Sequence, residues 1–196
     1  MTEIIDRIRT SLVGLRMPRA LEVLDHTMRC LERGEMTALE AIDILLSHEH
    51  GNRESRRFTV GLKTSRLMPM KTLEGFDFSF QPSLDRGRIL ALAQLDFIER
   101  GEVVHLLGPP GTGKSHLATA LGAEAVRAGK RVYRASLAEV IDMLVRAERD
   151  GRLPERLRFF NRNTLLIVDE IGYLPVTPGG ANLFFQLVNS RYKRGR

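Results

Sequence analysis

Between the apolar run Val103-Val104-His105-Leu106-Leu107 and a helix-forming segment that begins near His116 lies the octet Gly108-Pro109-Pro110-Gly111-Thr112-Gly113-Lys114-Ser115. Set between a strand and a helix, this is the pattern G-x-x-x-x-G-K-[ST], and it restricts the chain to very few architectures. Glycines 108, 111 and 113 let the backbone wrap closely around phosphates, so that its amides donate to the oxygens. The helix beginning near Lys114 aims its positive dipole end at the same oxygens. Lys114 is placed to reach the β- and γ-phosphates of a nucleotide, and the Ser115 hydroxyl to bind Mg²⁺.

A second motif supports the first. Leu165-Leu166-Ile167-Val168 is an apolar strand that ends in two carboxylates, Asp169 and Glu170. A buried parallel strand brings its last residues to the carboxyl edge of the sheet, where the phosphate loop also sits. Asp169 is therefore expected in the magnesium shell, and Glu170 is expected to polarise the attacking water as a general base. The ligands implied are a nucleoside triphosphate and Mg²⁺.

Around these motifs the hydrophobic period changes once. From Thr2 to about Met70 apolar residues fall at helical spacing, as Ile4, Ile5, Ile8, Leu12 and Leu15, then Leu21, Leu24, Met28 and Leu31, with a break near Pro18. Gly34 is a natural stop. Thr37 and Glu40 form a capping box before Leu39, Ile42, Leu45 and Leu46, which makes three helices. His48-Glu49-His50 reads as a solvated helix end, because histidines at i and i+2 point apart. From residue 87 onward the order is helix 87–100, strand 103–107, the phosphate loop, helix 116–128, strand 132–135, helix 137–149, strand 165–168 and helix 181–192. Strands alternating with helices predict a parallel sheet covered on both faces. The expected organisation is an N-terminal helical domain at 1–70, a linker at 71–86 and an α/β nucleotide domain at 87–196.

Composition narrows the class further. With 196 residues, 43% of them hydrophobic and 28% charged, the chain can bury one ordinary core and a small helical satellite. The longest aliphatic stretch, 165–168, is far below the roughly 18 apolar residues of a membrane span. The acidic start Met-Thr-Glu-Ile-Ile-Asp is unlike a signal peptide, and the single cysteine, Cys30, suits a reducing compartment, so a cytoplasmic protein is expected. The net charge of +6 falls entirely in residues 101–196, and arginine supplies 25 of the 30 basic residues. Arginine forks match phosphate oxygens, although a codon bias toward arginine explains the same count. Residues 51–72 carry Arg53, Arg56, Arg57, Lys63, Arg66 and Lys71 against Glu54 alone, and read either as a solvated surface or as a contact to a phosphate backbone.

The segments GPPGTGKSHLATALG, LLIVDEIGYLP, LFFQLVNSRYKRG and KTLEGFDF together resemble the IstB family of transposition helper ATPases, an AAA+ class close to the DnaC-type helicase loaders. The resemblance implies a P-loop NTPase of AAA+ type behind a helical N-terminal domain. It implies an ATPase that assembles on duplex DNA as a homo-oligomer, selects target DNA and delivers it to its cognate transposase. The alternatives are a helicase loader whose partner is a replicative helicase, and a non-hydrolysing DNA-binding adaptor or truncated remnant.

Carried over residue by residue, the nucleotide-binding set is Gly108, Pro109, Pro110, Gly111, Thr112, Gly113, Lys114, Ser115 and His116. Ser115 and Asp169 hold the metal, and Lys114 and Glu170 are the catalytic pair. The stretch 76–78 is expected to approach the adenine. Family members continue past an RYxxG segment into a strand with a polar sensor residue, a trans-acting arginine and a small helical region. The sequence ends at Arg191-Tyr192-Lys193-Arg194-Gly195-Arg196, so the expectation is an incomplete nucleotide domain that keeps ATP binding better than hydrolysis.

Overall fold

The computed structural model describes residues 2–171 and 179–195, and the chain divides into two units, residues 1–59 and 60–196. The first unit contains helices α1 (Thr2–Gly14) and α2 (Pro18–Glu32) and most of α3 (Ala38–Thr64). Arg16 adopts a left-handed conformation, φ 55°, and Pro18 opens α2, so the chain reverses where the apolar stripe breaks. Leu12, Ala20 and Leu24 are buried together, with Ile5, Ile8, Met17, Leu21, Met28 and Leu45 packed against them. The capping box forms as expected: the Thr37 amide donates to Glu40 Oε2 at 2.7 Å, and the Glu40 amide to Thr37 Oγ1 at 3.3 Å. Of the third apolar stripe, Leu45 packs inward, whereas Leu39, Ile42 and Leu46 are exposed.

The helix begun by that box runs on to Thr64, so His48-Glu49-His50 lies within a helix and not at its end. Glu49 explains the continuity. It is buried at 3% exposure and accepts from the Arg19 amide at 3.0 Å and from Arg53 Nε at 3.0 Å. Arg53 also donates to the carbonyls of Leu15 and Arg16, both at 3.1 Å. One arginine of the basic window thus ties the α1–α2 turn to α3.

In the second unit, α6 (Lys114–Arg127) packs against a parallel pair, β1 (Val132–Ser136) and β2 (Leu165–Asp169), in the register Val132↔Leu165 to Ser136↔Asp169. The crossover consists of α7 (Leu137–Arg149) and α8 (Leu153–Asn161), and α9 (Gly180–Tyr192) follows β2. Because strand side chains alternate, Tyr133, Ala135 and Leu166 meet Val140 and Leu144 of α7, Phe160 of α8 and Leu183 and Leu187 of α9. The opposite face turns to α6, where a Cβ on Gly122 would stand 2.7 Å from Ile167 Cδ1. The parallel sheet covered on both faces is therefore present. At the free edge of β1, the Arg134 amide donates to the Ser65 carbonyl at 3.0 Å.

Three expectations about elements are corrected. The helix expected at 87–100 is two pieces, α4 (Arg86–Leu92), capped by the Asp85 side chain, and α5 (Asp96–Glu99). Between them Leu95 takes a left-handed conformation, φ 67°, which turns Phe97 and Ile98 into the core. Residues 103–107 form no ladder among the described residues. A strand exists by pairing, β2 is paired with β1, and Val103 and Leu107 stand 71% and 89% exposed. Helix α8, which begins with Pro154 in its first turn, was not expected; Phe160 buries it. Arg191 holds the end of α8 and the residues after it, donating to the Phe160, Asn163 and Thr164 carbonyls at 2.8, 3.0 and 3.2 Å. Among the described residues no helix is long and apolar enough to cross a membrane.

Candidate nucleotide and metal site

The glycines of the phosphate loop do what the motif requires. Gly111 and Gly113 have φ of 77° and 84°, a region that disfavours side chains, and Gly113 is the residue from which α6 starts. Gly113 is needed for space as well, since a Cβ there would lie 2.5 Å from the Phe76 ring. Pro109, Pro110 and Gly108 form the exposed lip of the loop. Thr112 Oγ1 closes it by donating to the Pro109 carbonyl at 2.9 Å, and Lys114 Nζ donates to the same carbonyl at 2.6 Å. The ammonium group thus lies over the loop, at the N-terminus of α6.

At the carboxyl end of β2, Asp169 meets the same helix end. Ser115 Oγ donates to Asp169 Oδ1 at 3.1 Å, and the Glu170 amide donates to that oxygen at 3.0 Å. Arg134 donates to Oδ2 at 2.7 Å. Partial burial raises the Asp169 pKa, but the bonds from Arg134, Ser115 and the Glu170 amide outweigh it and hold the carboxyl below its ordinary range. Glu170 is exposed and sits at φ 58°, a strained conformation for a non-glycine residue. The two motifs, far apart in sequence, therefore converge.

A hydroxyl and a carboxylate 3.1 Å apart are hard oxygen donors that fit Mg²⁺. Among the described residues no cluster of three His, Cys, Asp or Glu side chains could hold a metal.

His116 bonds the chain that precedes the phosphate loop. Its Nε2 bonds the Thr72 carbonyl at 2.8 Å, which requires the Nε2–H form, and its ring meets Phe76 edge-on at 5.3 Å. Phe76 is buried with Leu73, Ile89, Leu117 and Leu121, and touches Phe78 at 4.9 Å. The segment expected near the adenine supplies the packing beneath the phosphate loop. Of the quoted motifs, Gly172-Tyr173-Leu174-Pro175 lies outside the described residues.

Sequence reasoning missed Arg134, which among the described residues is the arginine that reaches Asp169. Its signal was present but unreadable without the strand register, which sets Arg134 two residues before the partner of Asp169. The loop, the helix it opens and the acidic end of a parallel strand define a P-loop nucleotide-binding domain of α/β class.

The match is specific. Residues 10–196 fit the family described as IstB-like ATP binding protein, and the chain belongs to that family. It is 46% identical over 172 residues to a Pseudomonas aeruginosa protein named for insertion sequence IS21 and ATP binding, covering 86% of this chain and 65% of that one. It is 41% identical over 149 residues to the corresponding protein of insertion sequence IS5376 from Geobacillus stearothermophilus, covering 76% and 59%. The chain thus spans a little under two thirds of the length of these relatives. AMPPCP-bound DnaA from Aquifex aeolicus is similar in structure, with a TM-score of 0.53 and 27% identity over 66% of this chain and 40% of that one.

Proposed function

We propose that the protein is a Mg²⁺-dependent, DNA-associated ATPase that assists transposition, assembling on duplex DNA and delivering target DNA to a transposase. The observation that carries this reading is the meeting of Ser115 and Asp169 at 3.1 Å beside the Lys114 end of α6, in a chain of the IstB-like family. Loop amides and the helix dipole bind the triphosphate, and Lys114 swings from the Pro109 carbonyl to the β- and γ-phosphates. Ser115 and Asp169 would hold the metal, which would supply positive charge to offset that of the phosphates. Glu170, exposed at the mouth of the site, takes the proton of the attacking water.

The DNA part of the reading draws on α3. Arg53 is engaged within the fold, but Arg56, Arg57 and Lys63 are exposed on the same helix and are suited to a phosphate backbone. Lys114→Ala is expected to abolish ATP binding, measured with a fluorescent analogue; unchanged affinity rejects the site. Glu170→Gln is expected to bind ATP and lose turnover. Arg56→Ala/Arg57→Ala is expected to weaken duplex binding and flatten its salt dependence, whereas binding with no salt dependence removes the DNA reading.

A further inference from the structure

We propose that Arg134 is the resident counter-cation of the Asp169 seat and keeps that seat closed to free divalent metal until a triphosphate arrives. The proposal rests on the reading of Ser115 and Asp169 as the metal seat. Arg134 and Asp169 lie on the same face of the sheet, because register partners share a face and Asp169 pairs with Ser136, two residues beyond Arg134. The guanidinium follows that diagonal and ends 2.7 Å from Oδ2. Oδ1 takes the Ser115 hydroxyl and the Glu170 amide, so both carboxylate oxygens are engaged by donors.

The arrangement is poor as a purely structural bridge. Arg134 Nε is buried without an acceptor, and the pair sits at a strand end, where β1 and β2 are already joined by their ladder. As a charge device it has a clear effect. A lone carboxylate attracts a divalent ion, but a carboxylate paired with a guanidinium is neutral, and Lys114 adds a further positive charge nearby. An incoming Mg²⁺ would have to displace the guanidinium and meet its repulsion at close range. A triphosphate in the loop brings several negative charges to Lys114 and reverses the balance, so metal enters with nucleotide.

The test uses the full chain and Mn²⁺ as probe, with free metal followed by electron paramagnetic resonance. The wild-type protein is expected to bind Mn²⁺ weakly without nucleotide and tightly with ATP. Arg134→Gln, and Arg134→Met as a second variant, are expected to raise nucleotide-free Mn²⁺ affinity about tenfold or more, the scale on which groups behind a metal ligand act. Arg134→Lys should restore weak binding. Unchanged or reduced Mn²⁺ affinity in the Gln and Met variants overturns the proposal, as does tight nucleotide-free binding by the wild type, which needs no variant to fold. Asp169→Asn separates the two readings. If it leaves Mn²⁺ binding with ATP unaltered, the seat itself is wrong; if it weakens that binding while the Arg134 variants stay at wild-type affinity, only the counter-cation role fails.

Discussion

Two carboxylate–arginine pairs, one in each unit, use the same chemistry for different ends. Glu49 is buried, and both its oxygens accept from groups of the fold, the Arg19 amide and Arg53, which in turn caps the α1–α2 turn. Asp169 is less enclosed, lies at a strand end, and shares one oxygen with a hydroxyl of the phosphate loop. Beside the first pair stand the Leu15 and Arg16 carbonyls and the Arg19 amide, groups that no motif assigns to a ligand. The second is surrounded by groups that the motif assigns to phosphate and metal. An ion pair therefore reports function through what stands beside it and how exposed it is, and not through its own distance.

That contrast can be broken experimentally. The largest effect is expected for Glu49→Ala, which removes the acceptor of the Arg19 amide and of Arg53 Nε. It should lower unfolding stability by about 2–3 kcal/mol in denaturant titrations, the scale of hydrogen bonds lost from a charged acceptor. Gly113→Ala should cost about 2 kcal/mol, combining a left-handed backbone with a clash against Phe76, and should weaken ATP binding as well. Its pairing with Phe76→Leu should recover part of both losses, because the ring is what the new methyl meets.

Asp169→Asn should change stability by less than about 1 kcal/mol yet remove the Mg²⁺ dependence of ATP binding. A loss as large as that of Glu49→Ala would erase the distinction between the two pairs. The smallest effect is in pH. Asp169 has a lowered pKa in the folded protein, so its contribution is present at neutral pH and disappears as the pH falls below about 4. The stability gap between wild type and Asp169→Asn, measured by thermal melts, should therefore close on acidification; a gap that widens contradicts the bonds drawn to that carboxylate.

The phosphate loop and the acidic end of β2 were legible because each is a local pattern whose chemistry dictates residue types at fixed spacing. The Thr37–Glu40 cap was legible for the same reason. Arg134 and Glu49 were not, because their roles depend on a register and on an interhelical approach that composition cannot encode. The basic window misled in a related way: Arg53 counts as surface charge in the sequence, whereas its guanidinium closes a turn. Arg191, one of the basic residues that close the sequence, holds the Phe160 carbonyl at the end of α8 and the Asn163 and Thr164 carbonyls beyond it. Residues 103–107 carry a strand pattern without a strand, because alternation and branching describe a surface that suits pairing and do not supply the partner.

Residue 134 is held at both of its ends: its amide hydrogen is fixed by Ser65, just beyond α3, and its side chain by Asp169. One step along a strand is about 3.3 Å, more than the reach of a hydrogen bond can absorb, and it also turns the side chain to the other face. The seam between residue 65 and β1 is therefore the alignment gauge of the site. Insertions or deletions in the loop between α6 and β1 should be tolerated only where that gauge is left unmoved.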